Sequence, residues 1–304
     1  LVNKAIKKGF KELINKILLS KDLEIVKNTN LINIKKLISS YQIIENNEGT
    51  DKDEVLINLI FDRNKINNFF FSQSISYADV SKAKVLLYPV LIKNDNFYVF
   101  SNNYYYNNWN TKEHNNKDFI EYVLPVENLE DIQFINKNRN NLESADIKTI
   151  LSDYELRNYI FLVINNKDNQ IDVFLRGFVD NNHVSKNIKI DSIIGEEEKN
   201  LENSIQKIKQ EINEIWKSYN LIDVRTPSFL NIYLDIKKAN DLLKLKAAFK
   251  KIELIENFNV LELNKSYAKI SIKYLGKVSK IKSEMLKQGI ILNITNNEWK
   301  LNII

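Results

Sequence analysis

Between residues 226 and 304 the apolar side chains switch repeatedly between a period of two and a period near 3.6. The order of those switches constrains the fold more than any other feature of the chain. Over residues 229–236, Leu230, Ile232, Leu234 and Ile236 alternate onto one face of a strand. Residues 239–251 then bring Leu242, Leu245 and Phe249 together as a helix would. Residues 260–263 and 268–274 read as two more strands, the second setting Ala268, Ile270, Ile272 and Tyr274 against Lys269, Ser271 and Lys273. A second helix carries Val278, Ile281, Met285 and Leu286 and stops at Gly289, while Gly276 marks a turn. Residues 290–294 and 299–303 close with a hairpin around Asn296 and Asn297. The order β-α-β-β-α-β predicts a ferredoxin-like domain over 225–304, with Thr226-Pro227 at its boundary.

Two further parts are expected upstream, making an α+β, multi-domain chain. In the first, 1–80, Ile6, Phe10, Leu13, Ile14, Ile17 and Leu18 share one face of an amphipathic helix over 3–19. Asn30 is placed to cap a helix bearing Leu31, Ile34, Leu37 and Ile38. Residues 41–45 and 55–61 flank the polar stretch NNEGTDKD and predict an antiparallel pair, after which Asp62 caps a helix that buries Ile66, Phe69 and Phe70. The second part, 81–224, is a small α/β domain. Its run 85–92 (VLLYPVLI) is apolar throughout, as a strand covered on both faces is. Strands at 97–100 and 121–126, a helix at 146–154 and a meander at 159–164, 171–178 and 184–190 follow. A long helix closes the part, with Glu196, Glu197 and Glu198 in its first turn. On it Leu201, Ile205, Ile208, Ile212, Ile215 and Tyr219 recur at a spacing that suits its own sheet or, over about three heptads, a seam with a second chain.

The usual catalytic inventory is thin. The chain has two His, no Cys and six Gly in 304 residues. His114 and His183 lie far apart without a second ligand at metal spacing, and neither a P-loop nor a GxGxxG occurs. No catalytic residue, metal site or cofactor is therefore expected. Residues 226–304 hold 14 Lys against 7 acids, a balance of +7, and the remainder sums to −2. Such a basic end suits acidic lipid, a cell-wall polymer or, non-specifically, nucleic acid. The strand YAKISIKYLG, however, lacks the aromatics of an RNA-recognition strand, which makes nucleic acid the less favoured partner. The longest apolar run is too short to cross a membrane, and the start at Leu1 fits a removed signal peptide.

Two constellations remain as candidate sites. The stretch FYVFSNNYYYNNWN, ending at Asn110, interleaves aromatics with Asn, the chemistry of a sugar- or base-binding surface. Tyr104, Tyr106 and Trp109 are its candidate binding residues, with buried anchors (Tyr105 or Tyr106, and Trp109) as the structural alternative. Glu127, Glu130 and Asp131 follow the strand EYVLPV, where open α/β sheets tend to place ligands. Asn128, Glu130 and Asp131 equally suit the capped start of a helix. Glu130 and Asp131 flanking the aromatics would make a glycan-binding or glycan-hydrolysing site.

Three stretches together resemble one known family. They are VLINLIFDRNKINNFF through SISYADVSKA to KVLLYPVLI; the aromatic NNYYYNNW followed by EYVLPVENLEDI; and FLNIYLDI, ISIKYLGKVSKIKSEMLKQGIIL and EWKLNI near the C-terminus. The pattern is similar to the proteobacterial family catalogued as domain of unknown function 2066. Tyr77-Ala78-Asp79 stands where that family often has a Trp-Gly pair, and Trp109 alone remains of the Trp residues in its aromatic stretch. The resemblance implies an exported, periplasmic envelope protein without assigned activity. On that basis a non-enzymatic binding or assembly module is expected, its partner an envelope protein or a cell-wall or lipid component.

Overall fold

In the computed structural model, residues 2–44, 56–78, 82–111, 119–167, 170–224, 226–238, 240–296 and 298–304 are described. The stretch NNEGTDKD and His114 lie outside them. The chain forms two compact units, one built from residues 1–79 and 221–304 and the other from 80–220. The first and third expected parts thus belong to a single unit, interrupted in sequence by the second.

The first unit begins with α1 (Val2–Ile17), which buries Ile6, Phe10, Ile14 and Ile17 at helical spacing. A short α2 (Leu23–Val26) precedes α3 (Leu31–Leu37), where the Asn30 side chain accepts from the Asn33 N–H at 2.9 Å. Strands β1 (Ile38–Ile44) and β2 (Leu56–Phe61) pair antiparallel as a two-stranded sheet. Asp62 caps α4 (Arg63–Ser72) through the Lys65 N–H at 3.1 Å, and α4 buries Ile66 and Phe70. The two-residue β3 (Tyr77–Ala78) ends the segment.

The second unit is a six-stranded mixed sheet. Strand β4 (Ala83–Lys93) is its centre and is buried over most of its length. It turns through Asn94 and Asp95, both at positive φ, into β5 (Asn96–Tyr98). The expected strand at 97–100 is therefore shorter, because the chain turns at Phe100 into α5 (Tyr104–Asn108). Next come β6 (Ile120–Val123), α6 (Leu129–Lys137) and α7 (Lys148–Leu151), the last much shorter than the helix expected at 146–154. Strands β7 (Tyr159–Lys167), β8 (Gln170–Val179) and β9 (Asn182–Asp191) form the antiparallel meander, and β7 lies parallel to β4. The β8–β9 turn uses Asp180 and Asn181 at positive φ. Helix α8 (Glu197–Tyr219) buries Leu201, Ile205, Ile208 and Ile212 against the sheet of its own unit. The opposite sheet face, with Tyr88, Val90, Phe161 and Val163, packs on Ile135 of α6 and Ile150 of α7. This sheet is covered on both sides, as the unbroken apolar run of β4 requires.

The chain then returns to the first unit through β10 (Leu221–Ile222), which pairs with β3. Strand β11 (Ser228–Asp235), α9 (Asp241–Phe249), β12 (Ile255–Leu263), β13 (Tyr267–Tyr274), α10 (Val278–Lys287), β14 (Ile290–Thr295) and β15 (Glu298–Ile303) follow in the expected order. Gly276 and Gly289 sit at positive φ, in the turn and at the helix stop. The sheet order is β12-β13-β11-β15-β14, with β15 parallel to β11. A ferredoxin-like sheet would seat β14 beside β11. Here the extra strand β15 inserts between them, so the α+β class holds while the sheet gains a fifth, internal strand.

Candidate functional site

The aromatic and Asn-rich stretch is held together from within. Asn103 is fully buried and its amide nitrogen lies within 3.0 Å of the carbonyl oxygens of Pro89, Tyr98 and Val99. Its side-chain oxygen accepts from the Tyr105 and Tyr106 N–H groups and so caps α5. Asn108 donates to the Tyr104 carbonyl and Asn110 to the Tyr122 carbonyl. These amides satisfy backbone groups at a sharp strand-to-helix corner, where unpaired carbonyls would be costly.

The rings divide between two cores. Trp109 is 0% exposed, edge-on to Tyr122 at 5.5 Å, and joins the cluster under α8; Tyr104 packs against the same cluster. Tyr105 is also fully buried and shares a 2.8 Å hydrogen bond with Ser204 of α8. Its phenol is pushed up by burial, against the opposing pull of that hydrogen bond. Tyr106 turns the other way, edge-on to Phe100 at 5.3 Å and donating to the Pro125 carbonyl at 2.9 Å, beside the core under α6 and α7. The residues expected to share a binding surface are thus the anchors that fasten α5 to both sides of the sheet. A surface role for Trp109 is corrected accordingly: its indole is covered on every side.

Burial, then the charge of Glu127, pushes the Tyr106 phenol up, while Glu130 and Asp131 belong to a helix start. The Asn128 side chain accepts from the Asp131 N–H at 2.7 Å, and Glu130 and Asp131 occupy the first turn of α6, where the helix dipole favours negative charge. Glu130 points to solvent, while Asp131 is buried. One helical step separates them, so they are not opposed across a cleft. The Asp131 Oδ2 and Tyr88 Oη are both buried, neither in a hydrogen bond of regular geometry. Burial, then the charge of Asp131, pushes the Tyr88 phenol far up.

Two residues outside the candidate binding set matter more. Asn103 is one. The other is Lys209, buried on α8, which donates to the Trp109 carbonyl at 2.9 Å and lies 5.5 Å from the Trp109 ring and 5.3 Å from that of Tyr122. Lys207 and Lys209 flank Ile208 on either side, and nothing in the sequence marks Lys209 as the buried one of the two.

A concave surface does lie at strand carboxyl ends, but elsewhere. Beyond the ends of the parallel β4 and β7 a cleft of about 550 Å³ is lined by Lys93, Asn94, Asn166, Lys167, Glu197 and Asn200. Its charges are already used: Lys93 pairs with Glu197 and Lys167 with Asp172. The Lys167 hydrogen bond is the chief reason the Asp172 carboxyl is held low. Asn200 clasps the Ile193 backbone through both its N–H and its C=O.

The other unit offers an open surface. In its five-stranded sheet Ile232, Leu234, Ala268, Ile270 and Ile272 are buried on one face, where Phe249 of α9 meets Phe258 at 5.3 Å. The alternate residues form rows across the opposite face. Phe229 lies beside Lys273, which in turn pairs with Asn257; Asn231 lies beside Ser271, which pairs with Asn259; and Tyr233 lies between Lys269 and Lys300. Phe229 is 68% exposed, and the Tyr233 ring stands 6.0 Å from Tyr267 with Lys269 above it at 5.4 Å.

Among the described residues no group of three or more His, Cys, Asp or Glu is placed to hold a metal ion, and no helix is long and apolar enough to cross a membrane. Compared with family models, with curated proteins and with solved structures, the chain matches none of them.

Proposed function

We propose that the chain is a non-enzymatic binding or assembly module of the bacterial envelope, working in the periplasm and holding a protein partner. The observation that carries this reading is the open face of the five-stranded sheet. It presents aromatic, amide and charged side chains in register, with Phe229 largely exposed. Lys269, Lys273 and Lys300 are interleaved on it with Asp235, Glu262 and Glu298. Mixed signs at that spacing favour a protein surface over a polyanion, which would meet the acids as well as the lysines. The resemblance to the family of domain of unknown function 2066 supports the periplasmic setting.

The experiment has two parts. Spheroplast fractionation locates the protein, and a photo-crosslinking residue at Phe229, with Leu243 on the helical side as control, reports its contacts. The expected result is a periplasmic protein that yields a saturable, one-to-one adduct from Phe229 and none from Leu243, lost on Tyr233→Asp. A protein confined to the cytoplasm, or equal labelling from both positions, would refute it.

A further inference from the structure

We propose that β1 is the seam of a homodimer, pairing antiparallel with β1 of a second copy to turn each two-stranded sheet into half of a continuous four-stranded one. This does not rest on the envelope reading. Two-stranded sheets are marginal unless a helix or a third strand covers them. Here α1 covers the β2 side: a Cβ at Gly9 would stand 2.4 Å from Leu59 Cδ1, so helix and strand meet almost backbone to side chain. Tyr41 pairs with Leu59 and Ile43 with Ile57, which sets both on the face that meets α1. Yet Tyr41 is 54% and Ile43 49% exposed.

Among the described residues, the edge they stand on carries none of the usual guards. Strand β1 reads ISSYQII, with no charge, proline or glycine. Two other sheet edges are protected in the usual ways, while β2 (LINLIF) is as uncharged as β1 but meets α1 through Leu59. Strand β9 carries Lys186 and Lys189; β12 carries Glu256 and Glu262 and two irregularities in its pairing. Edge strand β14 is also uncharged, but it belongs to a five-stranded sheet and Ile294 is its one strongly exposed apolar residue.

The occupant follows from the sequence of the edge. Antiparallel self-pairing must keep each residue opposite one on the same face, so a register centred on a residue is required. Centring on Gln42 sets Tyr41 of one copy opposite Ile43 of the other, twice by symmetry, and Gln42 opposite Gln42. Aromatic against β-branched is among the favourable cross-strand pairs, and the Gln amides satisfy one another. A neutral strand meets its own copy without like-charge repulsion. The seam is small, so a weak dimer with a dissociation constant on the order of 10 µM is expected.

The absence of cysteine in the chain makes the register directly readable. Directly opposed residues have Cα atoms ~4.5–5.5 Å apart, within disulfide reach, so Gln42→Cys should give a covalent dimer under mild oxidation. Ser39→Cys should not, since the two copies of residue 39 would lie roughly 20 Å apart. Ile43→Lys, at a half-exposed position the monomer tolerates, should suppress the Gln42→Cys product. In sedimentation equilibrium of the full chain it should also weaken self-association by at least about tenfold. A wild-type chain that stays monomeric at the highest soluble concentration would overturn the proposal. So would a Ser39→Cys dimer forming as readily as the Gln42→Cys one.

Discussion

The two large sheets of the molecule are built from similar strands and finished in opposite ways. The six-stranded sheet of residues 80–220 is covered by α8 on one side and by α6 and α7 on the other. The five-stranded sheet of the other unit packs its apolar face and leaves Phe229, Tyr233 and Tyr267 on an open one. Aromatic and amide residues occur in both. In the closed sheet they are fasteners; on the open face they are free to meet something else. Charge follows the same division, with 17 basic against 21 acidic residues in 80–220 and 27 against 18 in the rest of the chain. Residue type alone therefore says little about role here, and the number of covered faces says a great deal.

That comparison breaks most readily at Trp109. Trp109→Ala should cost about 4 kcal/mol in urea unfolding, through lost burial and a cavity beside Lys209. Phe229→Ala on the open face should stay within roughly 0.5 kcal/mol of the parent. Comparable losses at the two positions would mean that the open face is packed after all. Next in size is Asn103→Ala, expected to cost about 3 kcal/mol because it removes a helix cap and strands buried carbonyls. Asn103→Asp should be no better, since a carboxylate cannot donate to Pro89, Tyr98 and Val99; rescue by Asp would show that the cap alone matters.

The smaller effects are those of pH, and they run in opposite senses. Burial raises the phenols of Tyr88 and Tyr105 in the closed sheet. A raised phenol stabilises the fold below its unfolded value near ~10, and that contribution is lost as pH climbs past it. Stability to urea should therefore fall above about pH 10, and less so in Tyr105→Phe. In the other unit the Lys238 and Lys237 N–H groups hold the Asp241 carboxyl low. A lowered carboxyl contributes above its unfolded value near ~4 and loses that contribution as pH falls through the lower folded value. Asp241→Asn should accordingly flatten the acid limb of thermal unfolding. An unchanged acid limb would remove Asp241 from the account.

Much of the fold is legible in the sequence. The stripe Ile6, Phe10, Ile14 and Ile17, the caps Asn30 and Asp62, the β7–β9 meander and the seam of α8 all depend on neighbours within a few turns of chain. The candidate site was not legible in the same way. Tyr104, Tyr106 and Trp109 have the composition of a surface, and nothing in their spacing reports that α5 lies against a sheet covered on both sides. Lys209 stands in the mostly polar run Gln206-Lys207-Ile208-Lys209-Gln210 and looks like the exposed Lys207, and Asn103 stands among other Asn.

What the sequence determined by itself is therefore the kind and order of elements, because hydrophobic period, caps and turn residues act over short stretches of chain. Only tertiary structure decided that the two ends of the chain share one unit, that β15 inserts between β11 and β14, and which sheet face stays bare. Those outcomes depend on pairing and burial between residues far apart in sequence. An alternating strand looks the same whether its polar face meets water, a helix or a partner.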